Sequence, residues 1–203
     1  VVRIKVCGVT SVADALACVA AGADAIGVNF APASPRRIDV ETARSIVTAL
    51  PANIVSVGVF VDASEAVLRD TIVRVGLGCV QLHGEESAEL VAAFLPHAYK
   101  ALRVRGREVL SLAERYPGEH ILLDAYVPGV AGGTGATFDW SLAAELARTR
   151  QLTLAGGLTP DNVASAVRTV RPYCVDVASG VERAVGKKDA AKVRAFIEAA
   201  RSV

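Results

Sequence analysis

Methionine is absent from the 203 residues, and aromatic side chains are scarce: one Trp, four Tyr and five Phe. Cysteine is sparse as well, at four residues. A secreted scaffold held by disulfides would carry more, and a chain of this length buries a core without such staples. No uncharged apolar run reaches the roughly 18 residues that a membrane-spanning helix needs. An excess of one charge is lacking too, since 22 basic and 21 acidic residues leave a formal net charge of +1. No block of like charge stands out, so no nucleic acid and no membrane partner is expected, and any anion site must be local. There is no basic-then-apolar leader, which points to the cytoplasm. The helix surfaces show no unmistakable apolar patch, so monomer and homodimer stay equally open.

What abounds is small or branched. Together 36 Ala and 31 Val make a third of the chain, within an apolar share of 52%. That excludes a disordered chain. The length fits one domain, residues 1–203.

Short Val/Ile/Leu runs alternate with Ala-rich amphipathic stretches. Strands are predicted at 3–7, 24–30, 54–61, 79–83, 98–104, 120–125, 152–155 and 174–178. Helices are predicted at 11–21, 39–49, 64–75, 86–94, 107–115, 139–149, 160–170 and 189–201. Asp39, Ser64, Asp139 and Thr159 (followed by Pro160) stand where helix caps belong. Such alternation implies a parallel sheet with helical crossovers.

The strands also have two unlike faces, because successive side chains alternate. Ile4 and Val6 oppose Arg3, Lys5 and Cys7. Ile26, Val28 and Phe30 oppose Ala25, Gly27 and Asn29. Val55, Val57 and Val59 oppose Ser56 and Gly58. Val80 and Leu82 oppose Gln81 and His83, and the last two strands repeat the pattern. Central strands of an open doubly wound sheet would be apolar on both faces. A closed barrel accounts for the difference: the greasy face meets helices and the small or polar face fills the interior. Eight units of about 25 residues make a single (β/α)8 TIM barrel, whose active site lies at the C-terminal ends of the strands.

The residues just after each strand are then the candidates: Cys7, Asn29, Asp62, His83, Arg103, Asp124, Gly156, Gly157, Ser179 and Gly180. The loops 155–160 and 178–182 are glycine-bearing, and the first runs into a helix. Backbone N–H groups there suit an anion, and phosphate binding after strands 7 and 8 recurs in barrels. A pair of tight turns is the plainer explanation of either loop alone. A further glycine-rich segment, 129–135, fits a lid, a phosphate contact or a simple loop. It lacks the Gly-Lys-Ser/Thr ending of a P-loop.

Cys7 and Asp124 both end a strand on the predicted inner face. An inert buried thiol and a structural carboxylate are the bland alternatives. Placed in one barrel mouth, they make an acid/base pair, with Lys5 below Cys7 favouring its thiolate. Asp176 is expected to pair with Lys5. His83 reads as a polar interior residue or a minor ligand contact. The remaining cysteines make no metal-ligand spacing with Cys7.

Taken in order, several segments resemble one family. They include Lys5-Val6-Cys7-Gly8-Val9-Thr10, Ser34-Pro35-Arg36, Val80-Gln81-Leu82-His83-Gly84, Leu122-Leu123-Asp124-Ala125, Gly132-Gly133-Thr134-Gly135 and Asp176-Val177-Ala178-Ser179-Gly180-Val181-Glu182. With their spacing, they are similar to the phosphoribosylanthranilate isomerases of tryptophan biosynthesis over essentially the whole chain. Departures are small: Val6 where Ile is common, Ala178 where Ser is common, and a polar Asn29.

The resemblance implies a barrel of the ribulose-phosphate-binding type and an Amadori rearrangement of a small phosphorylated substrate, with no cofactor and no metal. It implies Asp124 as general acid, Cys7 as general base and Arg36 as the anthranilate carboxylate's partner. Gly156, Gly157, Ser179 and Gly180 would hold the phosphate. The related histidine-pathway aminoaldose isomerase, or a dual-substrate version, has Asp where Cys7 stands and takes two phosphates. Indoleglycerol phosphate synthase carries an N-terminal extension, and a non-catalytic phosphosugar-binding barrel would not need both Cys7 and Asp124.

Overall fold

Eight parallel strands close on themselves in sequence order, each hydrogen-bonded to the next and β8 to β1. The computed structural model describes residues 1–104, 106–124 and 140–203. The strands are β1 (Arg3–Val6), β2 (Ala25–Asn29), β3 (Val55–Phe60), β4 (Cys79–Leu82), β5 (Ala98–Arg103), β6 (His120–Asp124), β7 (Gln151–Ala155) and β8 (Cys174–Val177). Between and after them come α1 (Val12–Ala20), α2 (Val40–Ala49), α3 (Glu65–Val75), α4 (Ala88–Ala92), α5 (Glu108–Glu114), α6 (Trp140–Leu146), α7 (Val163–Val170) and α8 (Ala190–Arg201). The (β/α)8 barrel read from the alternating faces is the fold observed.

Local chemistry starts the helices. Asp39 accepts from the Thr42 N–H and Ser64 from the Val67 N–H, each satisfying a first-turn donor that has no partner within the helix. Gly76, at φ +78°, ends α3 in the left-handed conformation. Thr159 does not cap α7. A turn covers 160–162, the helix begins three residues later than expected, and Asn162 Oδ1 turns back to accept from the Thr159 N–H. Asp139 and the segment 129–135 lie outside the described residues.

Most apolar burial lies between strands and helices, where Ile4, Ile26, Leu82, Ile121, Leu123, Leu152 and Leu154 are fully covered. A smaller cluster of Val57, Tyr99, Ala101, Leu122 and Ala155 fills the barrel interior. β3 therefore has its faces reversed from the expectation. Val55, Val57 and Val59 point inward, while Ser56 and Gly58 face the helices. Alternation distinguishes two faces but does not say which is inside. Here Gly58 makes room for the outer shell, since a Cβ on it would come within 2.6 Å of Leu77 and 2.8 Å of Phe60. Ser56 Oγ accepts from the Gly78 N–H at 2.9 Å.

One element had no counterpart in the sequence reading. After β8 come a 3₁₀ turn (Ser179–Val181) and a small antiparallel hairpin, β9 (Glu182–Ala184) with β10 (Lys187–Lys188). Strands this short carry no periodic signal.

Candidate active site

The C-terminal ends of the strands surround a cavity of about 440 Å³. Cys7, Asp124, Arg36, Gly156, Gly157 and Ser179 all line it, and so do Asn29 and His83. Others of the strand-end candidates serve the walls. Asp62, at φ +51°, accepts the Glu85 N–H and so ties the loop after β3 to the loop after β4. Arg103 is exposed at the end of β5 and lines a separate cavity. Gly180 lies against the backbone carbonyl of Leu158, where a Cβ would collide, so its missing side chain lets the loops after β7 and β8 meet. Gly157 has the opposite surroundings. It sits at φ +65° and nothing lies within 4 Å of where a Cβ would be.

Cys7 follows β1, its N–H bonded to Val177 O of β8 at 2.8 Å. Its seat depends on Gly27 in β2, because a Cβ there would stand 2.8 Å from Cys7 Sγ. Burial pushes the thiol above its ordinary value of 9.0; Lys5 pulls it down and Asp176 pushes it up. Burial thus favours the neutral thiol in the free protein.

Beneath the cavity a polar spine crosses the barrel. Lys5 Nζ donates to Asp176 Oδ2 at 2.7 Å, the pairing expected from sequence. Burial works against the charge on Lys5, but Asp176, Cys7 and Tyr99 together outweigh it and hold the ammonium well above its usual range. The other oxygen, Asp176 Oδ1, is buried with no hydrogen-bond partner among the described residues. Lys5 Nζ also donates to Gln81 Oε1 at 3.0 Å, and the Tyr99 hydroxyl donates to the same oxygen at 3.0 Å.

An ammonium has no acceptor, so these bonds fix which end of the Gln81 amide is oxygen. Its NH2 then faces His83 Nδ1 at 3.2 Å. Nδ1 must accept, which leaves the proton on Nε2. That nitrogen stands 3.4 Å from Asp124 Oδ2. It is too poorly placed for a full hydrogen bond in the free protein.

Arg36 projects from the loop between β2 and α2, with Ser34 Oγ accepting its backbone N–H. Its stem lies across Gly8, whose φ of +70° and lack of a side chain allow the contact with Arg36 Cδ. The guanidinium meets Glu182 of the hairpin through Nε and Nη2, both at 2.7 Å. The hydrogen bond to Glu182 raises the Arg36 pKa. Gln81, Tyr99, Glu182 and Lys188 were not singled out from the sequence. Gln81 lies on the predicted polar face of its strand, and both it and Glu182 fall in the segments that resemble the family, but nothing in the sequence joins Gln81 to His83 or Glu182 to Arg36.

A thiol, a carboxyl and a guanidinium converge on the mouth of a closed (β/α)8 barrel, an arrangement of the kind acid–base enzymes use. Comparison with known proteins narrows this. Residues 4–199 match the family model described as N-(5'phosphoribosyl)anthranilate (PRA) isomerase. An N-(5'-phosphoribosyl)anthranilate isomerase of Pseudomonas aeruginosa is 54% identical, covering 99% of this chain and 96% of the relative. The crystal structure of the phosphoribosyl anthranilate isomerase of Thermotoga maritima superposes with a TM-score of 0.91 at 44% identity, over 100% of both chains. A crystal structure of a phosphoribosyl anthranilate isomerase in complex with reduced 1-(o-carboxyphenylamino)-1-deoxyribulose 5-phosphate gives a TM-score of 0.88 at 41% identity, again over 100% of both chains. The chain belongs to the N-(5'-phosphoribosyl)anthranilate isomerase family. No described helix is long and apolar enough to cross a membrane.

Proposed function

We propose that residues 1–203 act as one catalytic barrel in tryptophan biosynthesis. It converts N-(5-phosphoribosyl)anthranilate to 1-(2-carboxyphenylamino)-1-deoxyribulose 5-phosphate, with Asp124 as acid and Cys7 as base. The observation that carries the assignment is that the two side chains line one cavity, from β6 and from the end of β1.

Asp124 gives its proton to the furanose ring oxygen. The bond from that oxygen to C1 breaks as the nitrogen lone pair forms the C1=N double bond of an iminium. Cys7, as thiolate, then takes the proton from C2. The electron pair of that C–H bond becomes the C1=C2 bond, and the C=N pair returns to nitrogen, giving an enolamine. Loss of the C2 hydroxyl proton and protonation at C1 yield the ketone. The nitrogen already on the substrate supplies the electron pair, so none of these steps calls for a cofactor. Acid and base must act from different positions in opposite protonation states, which two residues on separate strands permit.

Arg36 takes the anthranilate carboxylate, for which a planar guanidinium is suited. The backbone N–H groups of Gly156, Gly157, Ser179 and Gly180, with the start of α7, hold the phosphate. The open side of Gly157 supports close approach of such a group. The test is turnover by Cys7→Ser and Asp124→Asn, alongside binding of the reduced product analogue. The roles predict losses of about 10²–10⁴-fold in turnover with the analogue still bound. Near-normal turnover in either variant removes that residue from its role.

A further inference from the structure

The hairpin β9–β10 gives Arg36 a mount whose geometry goes beyond an ion pair. Glu182 is 8% exposed and accepts both Nε–H and an Nη2–H of Arg36. Glu182 Oε1 also accepts from Lys188 Nζ at 3.0 Å and from the Gly186 N–H at 3.2 Å. Burial alone would raise the Glu182 pKa, but the bonds from Arg36 and Lys188 hold it low. Lys188 is 3% exposed, and its Nζ donates as well to Ala178 O at 3.0 Å, at the root of the loop after β8. The hairpin is anchored in turn to the loop after β1 and to α1. Thr10 Oγ1 donates to Gly186 O at 2.6 Å, and Asp14 Oδ2 accepts the Lys188 N–H at 3.0 Å.

Counting donors shows what this leaves. A guanidinium has five N–H groups in a fixed plane. Glu182 takes two of them along the Nε–Nη2 edge. The two on Nη1 and one on Nη2 remain, and one from each nitrogen forms the end-on edge that matches a carboxylate bidentately. Among the described residues nothing accepts from Nη1, and Arg36 is part of the cavity wall. Two cations share one carboxylate, so the mount keeps a net positive charge beside the cavity. The same lysine reaches the carbonyl just before Ser179.

We propose that Glu182 and Lys188 are positioning residues that present Arg36 end-on to the substrate's carboxylate, and that through Ala178 they set its spacing from the phosphate loop. This rests on the reading of Arg36 as the carboxylate's partner. A pre-set guanidinium loses little freedom on binding, whereas a loose one would.

Two ligands separate this from a merely structural ion pair: the reduced product analogue, which carries the carboxylate, and ribulose 5-phosphate, which does not. In Glu182→Gln the analogue's Kd should rise about tenfold while that of ribulose 5-phosphate stays within about twofold. KM should rise more than kcat falls. Added to Arg36→Met, Glu182→Gln should weaken the analogue no further, because it acts through Arg36.

Equal weakening of both ligands, or effects that multiply in the double variant, would overturn the proposal. If Arg36→Met weakens the analogue and Glu182→Gln does not, the mount alone fails. If Arg36→Met leaves the analogue unaffected, the carboxylate reading fails with it. Should Glu182→Gln not fold, Glu182→Asp keeps the charge but withdraws the carboxylate from the guanidinium, and is read by the same criteria.

Discussion

His83 Nε2 and Asp124 Oδ2 stand 3.4 Å apart, and the proton on that nitrogen is set from the opposite wall of the barrel. Lys5 and Tyr99 orient the Gln81 amide, and Gln81 orients the imidazole. With Asp124 as the proposed acid, loss of its proton would form a carboxylate beside an N–H donor. A hydrogen bond that strengthens as that charge develops lowers the barrier, because it favours the transition state over the ground state. Replacing His83 by Asn should lower kcat about tenfold or more, the worth of one donor to a charged group. Binding of the reduced product analogue should hold. An unchanged kcat would show that Asp124 works without the imidazole.

Cys7 should titrate late. Burial pushes its thiol up, so the thiolate fraction grows throughout the neutral range and beyond. Thiolate absorbance in the ultraviolet, taken as the difference between the unaltered protein and Cys7→Ser, should climb with pH from 7 and still be climbing at 9. A difference that levels off below pH 8 would mean that burial does not hold this thiol up.

Lys100 points outward from β5, yet it is 2% exposed. Its ammonium donates to Glu86 Oε2 at 3.0 Å and to the carbonyls of Leu82, Gly84 and Ala101. Glu86 in turn accepts the N–H groups of Asp62 and Gly84. Lys100→Met would strand a buried carboxylate, at a cost of about 3–5 kcal/mol. Thermal unfolding should show a Tm lower by on the order of 10 °C for a chain this long. A shift under 2 °C would mean that Glu86 finds other partners or takes up a proton.

Acid should loosen the floor of the barrel through His120. Burial, with Lys5 and Arg150 adding to it, lowers the imidazole from 6.5 to about 4. The ring is stacked on Tyr99 with centroids 4.1 Å apart and is bonded to Thr153. Unfolded chain binds this proton below 6.5 and folded protein only near 4, so stability is full above 6.5 and falls as pH drops toward 4. The loss amounts to about 3 kcal/mol across that window. Denaturant unfolding at pH 7 and pH 4 should show a smaller decline for His120→Gln than for the unaltered protein. Equal declines would place the acid sensitivity elsewhere.

How much of this could be read without coordinates varies by residue. The position of Cys7 and Asp124 at the barrel mouth could be read ahead, since both end a strand on its predicted inner face, and both line the cavity there. The reversed faces of β3 were hidden because valine suits either side of a strand; Gly58 was the clue, its missing side chain answering Leu77 and Phe60. Lys100 broke the pattern of an apolar outer face, and only its ring of carbonyls explains it. Glu182 was the least legible. Its partner Arg36 lies 146 residues away in the chain, and no periodicity spans that distance.

The polar spine bears on redesign. Carrying a thiol and a carboxyl into the mouth of another barrel copies only the visible part of this site. Tyr99, near the opposite end, touches neither of them, yet it helps decide which nitrogen of His83 holds a proton beside Asp124. An engineer who enlarges the floor to gain volume, or who replaces Gln81 by a residue of the same size, also changes the donor beside Asp124. Here the interior is wiring as well as filling.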